Sequence, residues 1–304
     1  MFSFSEAIAA PKVAVTIAPI HSLVASVMKG VGEPQLLLKP DTSPHHATLV
    51  PSQVKGLQDA DIVFYIDATY ETFLAKSLAA KGDKAIALLQ SAEIQKLDIR
   101  TLGMSETHQE PVHKDDHGHA HDHDHGTVDP HIWLDMDNAQ AIVDEILINL
   151  SAIDVMNAPT YATNAKALKE ILATLKDDLV KRAKPFAGKT FVAAHDGFQY
   201  FEKMVGLKAV GFLGTSQSLD TSTKRYKDVQ DLLTQKRVAF LFQEPQMASP
   251  HIQKLSQAFK VPLLEMDSMG AKIQPGLDHY SKLMINLVEQ LEHAGKPAHG
   301  GTKP

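Results

Sequence analysis

The sequence predicts an α/β protein of two lobes, each built on a mostly parallel sheet, with one long helix joining them. Short apolar, β-branched segments alternate with amphipathic helical segments along the chain, which is the pattern of parallel sheets covered on both faces by helices. A helical pattern of roughly 26 residues, or ~39 Å at 1.5 Å per residue, interrupts this alternation near the middle of the chain. The 304 residues are enough for two domains of ordinary size.

Four strands and four helices are predicted in the first half of the chain. The strands lie at 13–17, 36–38, 61–66 and 85–89, and the helices at 23–29, 51–59, 71–80 and 137–150. Ser22 is the predicted N-cap of the first helix, because a serine side chain can accept a hydrogen bond from an N–H of the first turn. Asp137 is predicted to cap the fourth helix, with Gln140 in the reciprocal position of a capping box.

The long helix is predicted from apolar side chains that follow Pro159 at steps of three and four residues. They are Tyr161, Ala165, Leu168, Leu172, Leu175 and Leu179. After this helix, strands are predicted at 190–194, 208–212, 238–242 and 261–265, and helices at 198–205, 221–236, 250–259 and 279–293. The predicted organisation is an N-terminal lobe over 11–156, a connecting helix over 157–185, a C-terminal lobe over 186–295 and a tail over 296–304.

Composition narrows the classes of function. The formal net charge is −6 and no cluster of lysine and arginine stands out, so no nucleic-acid partner is expected. No apolar run approaches the ~20 residues that span a bilayer. The chain has 16 histidines and no cysteine, which together indicate a transition metal bound through imidazole and carboxylate rather than thiolate.

The N-terminus favours export from the cytoplasm. Residues 7–10 (AIAA) have the small-residue spacing of a signal-peptidase site, and a predicted strand begins directly after Pro11. Residues 1–10 are therefore interpreted as the remainder of an export signal, with an ordinary frayed terminus as the alternative.

A His-rich segment at 108–126 is polar, lacks periodicity and is predicted to be a loop. Its density of histidine favours some contact with metal, although a flexible loop would lose conformational entropy on closing around an ion. Three interpretations stay open: a solvated linker, a low-affinity collector of metal and a sensory site. The candidate ligands of a low-affinity site are His113, His117, His119, His121, His123 and His125.

Four residues elsewhere are predicted to form one metal site. His45 follows the second predicted strand, and His131 directly precedes a helix. His195 and Asp267 end strands of the second lobe. A lone histidine at a strand end is more often structural, but the carboxyl ends of parallel strands converge on one crevice, where α/β folds bind ligands. Three imidazoles and a carboxylate would complete a tetrahedral zinc site.

The fourth ligand of that site is either Asp267 or a water. Asp267 is favoured because its charge would offset part of the charge of the ion. Other histidines on or near predicted helices have no partner at ligand spacing, so they are expected on the solvated surface. They are His251, His279, His293 and His299.

Four segments resemble the cluster A-I metal-binding proteins of ABC importers. They are 41–61 (DTSPHHATLVPSQVKGLQDAD), 129–135 (DPHIWLD), 194–201 (AHDGFQYF) and 265–270 (EMDSMG). The resemblance covers 11–295 in order. It implies two Rossmann-like lobes joined by one rigid helix, with the metal in the interlobe cleft. It also implies a periplasmic protein that delivers its metal to an ABC-type membrane permease. The protein is expected to be a monomer.

The ligands and the resemblance both favour zinc as the metal. Family members that carry manganese or iron tend to have a carboxylate where this chain has His195, and imidazole favours zinc whereas manganese prefers oxygen. The acidic His-rich segment is similar to the loop that marks the zinc branch of the family. Pro44 is a departure, because some zinc members have an acidic residue at the position before the first histidine.

Other functions are kept as alternatives. A manganese- or iron-carrying member of the same family or a stand-alone zinc metallochaperone would use the same pocket. A zinc-dependent hydrolase is a remote alternative, because the chain has no His-Glu-x-x-His motif and its His-rich segment does not fit His-x-His-x-Asp-His. The chain is therefore expected to capture zinc and not to be an enzyme.

Overall fold

Two four-stranded parallel sheets form the framework of the protein in the computed structural model, which describes residues 10–100, 127–214 and 221–295. Most of the predicted export-signal remnant, the whole His-rich segment at 108–126 and the tail at 296–304 lie outside the described residues. The predicted α/β class, with two parallel sheets and helices, is confirmed.

The two sheets have the same strand order. The first contains β1 (Val13–Val15), β2 (Gln35–Leu36), β3 (Ile62–Tyr65) and β4 (Ala85–Ala87) in the order β2-β1-β3-β4. The second contains β5 (Thr190–Ala193), β6 (Lys208–Phe212), β7 (Phe240–Gln243) and β8 (Leu263–Glu265) in the order β6-β5-β7-β8. The strand order reverses between β1 and β3 and between β5 and β7. Ligand sites of α/β folds lie at the carboxyl ends of strands at such points.

In the described part of the chain, nine α-helices connect and cover the sheets. They are α1 (Ala18–Val27), α2 (Pro51–Asp59), α3 (Ala75–Ala79), α4 (Met136–Ile153), α5 (Ala158–Ala183), α6 (Gln199–Val205), α7 (Thr223–Thr234), α8 (Pro250–Phe259) and α9 (His279–Gly295). Within these ranges, no helix has the combination of length and apolar character that a membrane span requires.

Two predicted helix caps are wrong. Helix α1 begins at Ala18, with Pro19 in its first turn, so Ser22 lies inside the helix and its hydroxyl donates to the Leu277 carbonyl instead. Helix α4 is capped by Asp135, whose side chain accepts hydrogen bonds from the backbone N–H groups of the second and third helical residues. Asp137 lies within the first turn and forms an ion pair with Lys176 instead.

The long helix has the predicted length and buried face. Helix α5 spans 26 residues, and five of the six apolar side chains in the predicted stripe are buried. It packs against α4, α1 and α9, and α9 also contacts α1 of the first lobe. One buried apolar cluster therefore includes Val15 in the first sheet, Leu172 of α5, Leu287 of α9 and Phe191 in the second sheet. The two lobes share a continuous core.

Buried hydrogen bonds also join the two lobes close to Trp133. The indole Nε1 donates to the Ser268 carbonyl at 2.8 Å, and the Tyr280 hydroxyl donates to the Trp133 carbonyl at 2.7 Å. His279, expected on the surface, is instead buried, and its Nε2 donates to the Met269 carbonyl at 2.8 Å. That expectation was wrong because the start of α9 packs against the segment between β8 and α9, a contact that sequence spacing does not reveal.

Candidate metal centre

Three histidines from the two lobes meet in the cleft. His45 lies in a short 3₁₀ turn that starts at Pro44, and His131 directly precedes a second 3₁₀ turn over Ile132–Leu134. His195 follows β5 at the carboxyl end of the second sheet. Each imidazole offers a ring nitrogen, and the three nitrogens lie within 4.8 Å of one another. Among the described residues the structure brings together all three predicted histidines.

Two of the imidazoles are held by buried carboxylates. The Nδ1 of His131 lies 2.7 Å from Oδ1 of Asp129, and the Nδ1 of His195 lies 2.7 Å from Oε1 of Glu244. A carboxylate can only accept, so each Nδ1 carries the proton and each Nε2 keeps its lone pair for a metal. Both imidazoles are nearly inaccessible to solvent.

Glu244 is itself held in place. Burial would raise the pKa of its carboxyl, but the neighbouring His195 and the Ser268 hydroxyl outweigh this effect and leave the pKa below its ordinary value. The Ser268 hydroxyl donates a short hydrogen bond to Oε2. The carboxylate therefore stays ionised at neutral pH and keeps the orientation of the imidazole fixed.

The cavity between the imidazoles is very small. Its volume is about 10 Å³, which is close to the space that one water molecule requires. The ring of Tyr70 closes one side, with its centroid 4.9 Å from that of His45 and 5.6 Å from that of His131. Met247 and Met269 also contribute to the wall. The cavity has about the size of one small ligand such as a metal ion.

Gly197 allows the imidazoles to approach the backbone. A Cβ atom built on this residue would lie 2.5 Å from Cε1 and 2.7 Å from Nδ1 of His195, and 3.2 Å from Nε2 of His131. Real side chains do not tolerate such separations without movement of a neighbour. The turn after β5 therefore needs glycine at this position to bring the imidazoles of both lobes together.

Asp267 follows β8 but is not part of the group of mutually close ligand atoms. Its Oδ1 accepts hydrogen bonds from the side chain of Gln246 at 2.8 Å and from the N–H groups of Met269 and Gly270 at 3.1 and 2.8 Å. Its Oδ2 accepts from the N–H of Ala271 at 2.6 Å. The predicted ligation by Asp267 stays a prediction. The six predicted ligands between His113 and His125 lie outside the described residues.

Sequence reasoning missed the groups that orient the ligands. Asp129 lies two residues before His131, so its position in the DPH motif was an available signal. Glu244 directly follows β7, and its role depends on β7 lying next to β5, which the linear sequence does not state. No sequence pattern around Tyr70 indicated that it would lie at the site.

Comparison with known proteins identifies the family of this chain. A family model described as "Zinc-uptake complex component A periplasmic" (ZnuA) matches residues 13–294. The high-affinity zinc uptake system protein ZnuA of Brucella abortus (strain 2308) is 31% identical over 308 residues, covering 92% of this chain and 90% of the relative.

Two solved structures share the fold. A crystal structure of ZnuA has a TM-score of 0.75 at 17% identity, covering 94% of this chain and 100% of the other. The solute-binding protein FpvC from Pseudomonas aeruginosa, solved with Mn²⁺, has a TM-score of 0.77 at 19% identity, covering 93% and 98%. At these identities the likeness shows the fold alone. Together with the family match over almost the whole chain, the findings show that the protein belongs to the ZnuA family of periplasmic zinc-uptake components, which are solute-binding transport proteins and not enzymes.

Proposed function

We propose that His45, His131 and His195 are the ligands that capture Zn²⁺ in this periplasmic component, with zinc as cargo rather than a resident cofactor. The observation that carries the proposal is the convergence of three imidazoles on one small cavity, two of them oriented by carboxylates. Zn–N bonds of ~2.0–2.1 Å place tetrahedral ligand atoms roughly 3.3 Å apart. The three nitrogens, within 4.8 Å of one another, therefore need only small side-chain movements to close on the ion.

The donor set, and not the fold, supports zinc as the metal. The Pseudomonas protein with the same fold was solved with Mn²⁺, so the architecture alone does not select the ion. Three imidazole nitrogens favour zinc, whereas manganese prefers a larger share of oxygen ligands. A manganese- or iron-carrying function is the alternative, and competition between Zn²⁺ and Mn²⁺ for the purified protein distinguishes the two.

A water in the fourth position fits the hydrogen bonds better than Asp267. The sequence favoured Asp267 for its charge, but its two oxygens together already accept four hydrogen bonds. Ligation would require the carboxylate to leave some of these donors unsatisfied in a buried turn. A water can enter with the ion at no such cost.

We also propose that the lobes move little when zinc binds. The N-terminal lobe (11–156) and the C-terminal lobe (186–295) are joined by α5, by a continuous core and by the hydrogen bonds around Trp133. Breaking such contacts for a wide hinge motion would cost several kcal/mol. Solution scattering of the metal-free and zinc-bound protein is expected to give nearly equal radii of gyration, and a large difference would contradict this.

Membership of the zinc-uptake complex implies an ABC permease as the partner. We propose that the protein binds zinc and meets the permease as a monomer, because all three candidate ligands come from one chain. Size-exclusion chromatography with light scattering, with and without zinc, tests this. A stand-alone metallochaperone would share the pocket but have no permease gene beside its own.

Deletion of residues 113–126 tests the site itself. The deletion variant is titrated with zinc against a strong chelator, alone and combined with His195→Ala. One tight site is expected to survive the deletion and to disappear with the substitution, which would assign tight binding to the cleft. Loss of all tight binding on deletion alone would assign it to the His-rich segment and overturn the proposed ligand set.

A further inference from the structure

A short two-stranded ribbon connects the part of the metal centre that the first lobe contributes to the second lobe. The ribbon consists of residues 97–100 and 127–129. Asp98 pairs with Val128 in an antiparallel bridge. The N–H of Ile99 donates to the Thr127 carbonyl at 2.8 Å, and the N–H of Asp129 donates to the Leu97 carbonyl at 2.8 Å. Its second strand therefore ends at the carboxylate that orients His131.

Arg100, in the first strand of the ribbon, reaches across to the second lobe. Its Nε lies 3.2 Å from Oδ2 of Asp196 and its Nη2 lies 3.0 Å from Oδ1, so the guanidinium donates two hydrogen bonds to the carboxylate. The same Nη2 forms an ion pair with Oε2 of Glu202 at 2.6 Å. The guanidinium also lies over the Phe212 ring, 5.0 Å from its centroid. Asp196 directly follows the ligand His195.

The ion pair is well shielded from water. The side chains of Arg100, Asp196 and Glu202 are 20%, 5% and 12% exposed. Removing one partner of such a pair leaves a desolvated charge without compensation, which is far more costly than the loss of a surface pair. The contact is therefore strong enough to hold a turn in place, unlike most ion pairs at protein surfaces.

Further hydrogen bonds fasten the ribbon to α6. The side chain of Gln199 donates to the Asp98 carbonyl at 3.0 Å. The Tyr200 hydroxyl accepts from the N–H of Leu97 and donates to the Asp129 carbonyl, both at 3.0 Å. Both strands of the ribbon are thus hydrogen-bonded to the second lobe. Asp129, at the end of the second strand, is hydrogen-bonded to His131.

We propose that Arg100 is a positioning residue that sets the spacing between His131 and His195. It binds no metal; it acts through Asp196, by holding the turn that carries His195 and Gly197 against the ribbon that carries Asp129. The tight approach of Gly197 to both imidazoles leaves little tolerance in this turn, so a small displacement separates the ligands. This inference rests on the proposed function, because it assumes that the two imidazoles bind the same ion.

A second arginine provides a matched control. Arg182 of α5 binds Glu292 of α9 with two hydrogen bonds of 2.9 Å, and the two side chains are 27% and 33% exposed. This pair has the same two-hydrogen-bond geometry as the pair of Arg100 and Asp196, but neither Arg182 nor Glu292 lines the metal cavity. Arg182→Ala therefore removes a similar ion pair with two hydrogen bonds, here between two helices, without touching the turn at His195.

The experiment compares Arg100→Ala, Arg100→Lys and Arg182→Ala with the full-length protein. Zinc affinity is measured by competition with a chelator, and the site geometry by the visible absorption of the Co²⁺-substituted protein. We expect Arg100→Ala to weaken zinc binding at least tenfold, as loss of an outer contact of a metal ligand commonly does. Arg100→Lys keeps the charge but not the two-pronged geometry, so an intermediate loss is expected. Arg182→Ala is expected to change the affinity less than twofold.

The Co²⁺ spectrum separates positioning from general destabilisation. A shift in band positions or intensity per bound ion in the Arg100 variants supports altered ligand spacing, because global instability lowers only the amount of ion bound. Wild-type affinity and an unchanged spectrum in Arg100→Lys, together with either no effect or no folding in Arg100→Ala, would overturn the inference. Failure of the wild-type protein to bind zinc tightly would overturn the proposed function instead, so the two failures are distinguishable.

Discussion

The imidazole of His195 and the carboxylate of Glu244 meet at the carboxyl ends of neighbouring strands, with Nδ1 and Oε1 2.7 Å apart. β5 pairs with β7 in parallel, and the two residues lie just beyond the paired segments. This is the point at which the strand order of the second sheet reverses. The topology therefore places the proposed metal ligand beside the group that fixes its orientation.

Glu244→Gln is expected to weaken zinc binding by about ten- to a hundredfold, which is the usual effect of changing an outer partner of a metal-bound histidine. The glutamine keeps the shape of the side chain but removes the negative charge. That charge makes the imidazole nitrogen a stronger electron-pair donor to the metal. Chelator competition measures the affinity. Glu265→Gln, which removes the charge of an exposed pair with Lys272, is the control and should bind zinc like the wild type. Equal affinities in both variants would mean that Glu244 does not act on the metal.

Gly197→Ala is expected to reduce zinc affinity at least tenfold. The added methyl group would lie 2.5 Å from Cε1 of His195, so the ring has to leave its present position beside the other two imidazoles. Thermal unfolding in the absence of zinc should change much less than the affinity does, because the imidazole can move into the cavity space that the ion would occupy.

The control for this substitution is Gly56→Ala on α2. There the three atoms nearest to the new methyl group all belong to the side chain of Gln35, which is exposed and can move. Zinc affinity should stay at the wild-type value. Tight binding in Gly197→Ala would show that His195 does not need its present position to bind the ion.

The three histidines could be predicted because they obey a rule that is local in sequence. Each lies beside a recognisable strand end or helix start, and parallel strands bring such positions to one edge. Glu244 also follows a strand. Its contact with His195 could not be predicted, because it depends on β7 lying next to β5, and the strand order of the sheet is not visible in the sequence. The spacing of apolar residues likewise predicted the length of α5, because a helix that long needs a continuous buried stripe.

The errors have physical causes of the same kind. His279 was expected at the surface because nothing in its own helix pairs with it, yet its ring nitrogens contact the carbonyls of Met269 and Gln274, in the segment before α9. Ser22 has the side chain of a helix cap, but its hydroxyl is used by the backbone of residue 277, far away in sequence. Tertiary contacts, rather than preferences within the helix itself, decided both positions.

Asp267→Asn tests the fourth ligand. The NH₂ group of the asparagine would face one of the N–H groups that now donate to the carboxylate. The N–H of Ala271 is expected to be that group, because it donates to the oxygen with fewer hydrogen bonds. We expect the free energy of unfolding to fall by about 1–3 kcal/mol and zinc affinity to change by no more than about threefold. Asp61→Asn, at a carboxylate that accepts from the Lys12 N–H away from the site, is the control. A loss of affinity above tenfold, absent from the control, would make Asp267 a ligand.

Zinc affinity is expected to fall as the pH drops below ~6.5, the ordinary pKa of histidine. Protons and zinc compete for the same imidazole nitrogens, so acid favours release. Competition with a chelator whose own pH dependence is known should show a loss of well over tenfold between pH 7.5 and pH 5. Unchanged affinity at pH 5 would exclude histidine as the main ligand type.

Glu71→Gln is expected to stabilise the protein at alkaline pH. Burial raises the pKa of the Glu71 carboxyl from 4.5 to about 7, although the N–H groups of Ile66 and Asp67 donate to it and oppose the rise. Below pH 4.5 the carboxyl is protonated in both the folded and the unfolded chain, and its contribution to stability is complete. That contribution is lost as the pH rises to about 7, because the folded protein resists ionisation.

A glutamine stays neutral at every pH and still offers an oxygen to the two N–H groups. The free energy of unfolding of Glu71→Gln should therefore exceed that of the wild type by up to about 3 kcal/mol at pH 8, and the difference should shrink towards zero at pH 4. Denaturant titrations at the two pH values measure it, with Glu93→Gln at an exposed position as the control. A variant that is less stable than the wild type at pH 8 would show that the ionised carboxylate is stabilised by its surroundings, and that its burial imposes no net cost on the fold.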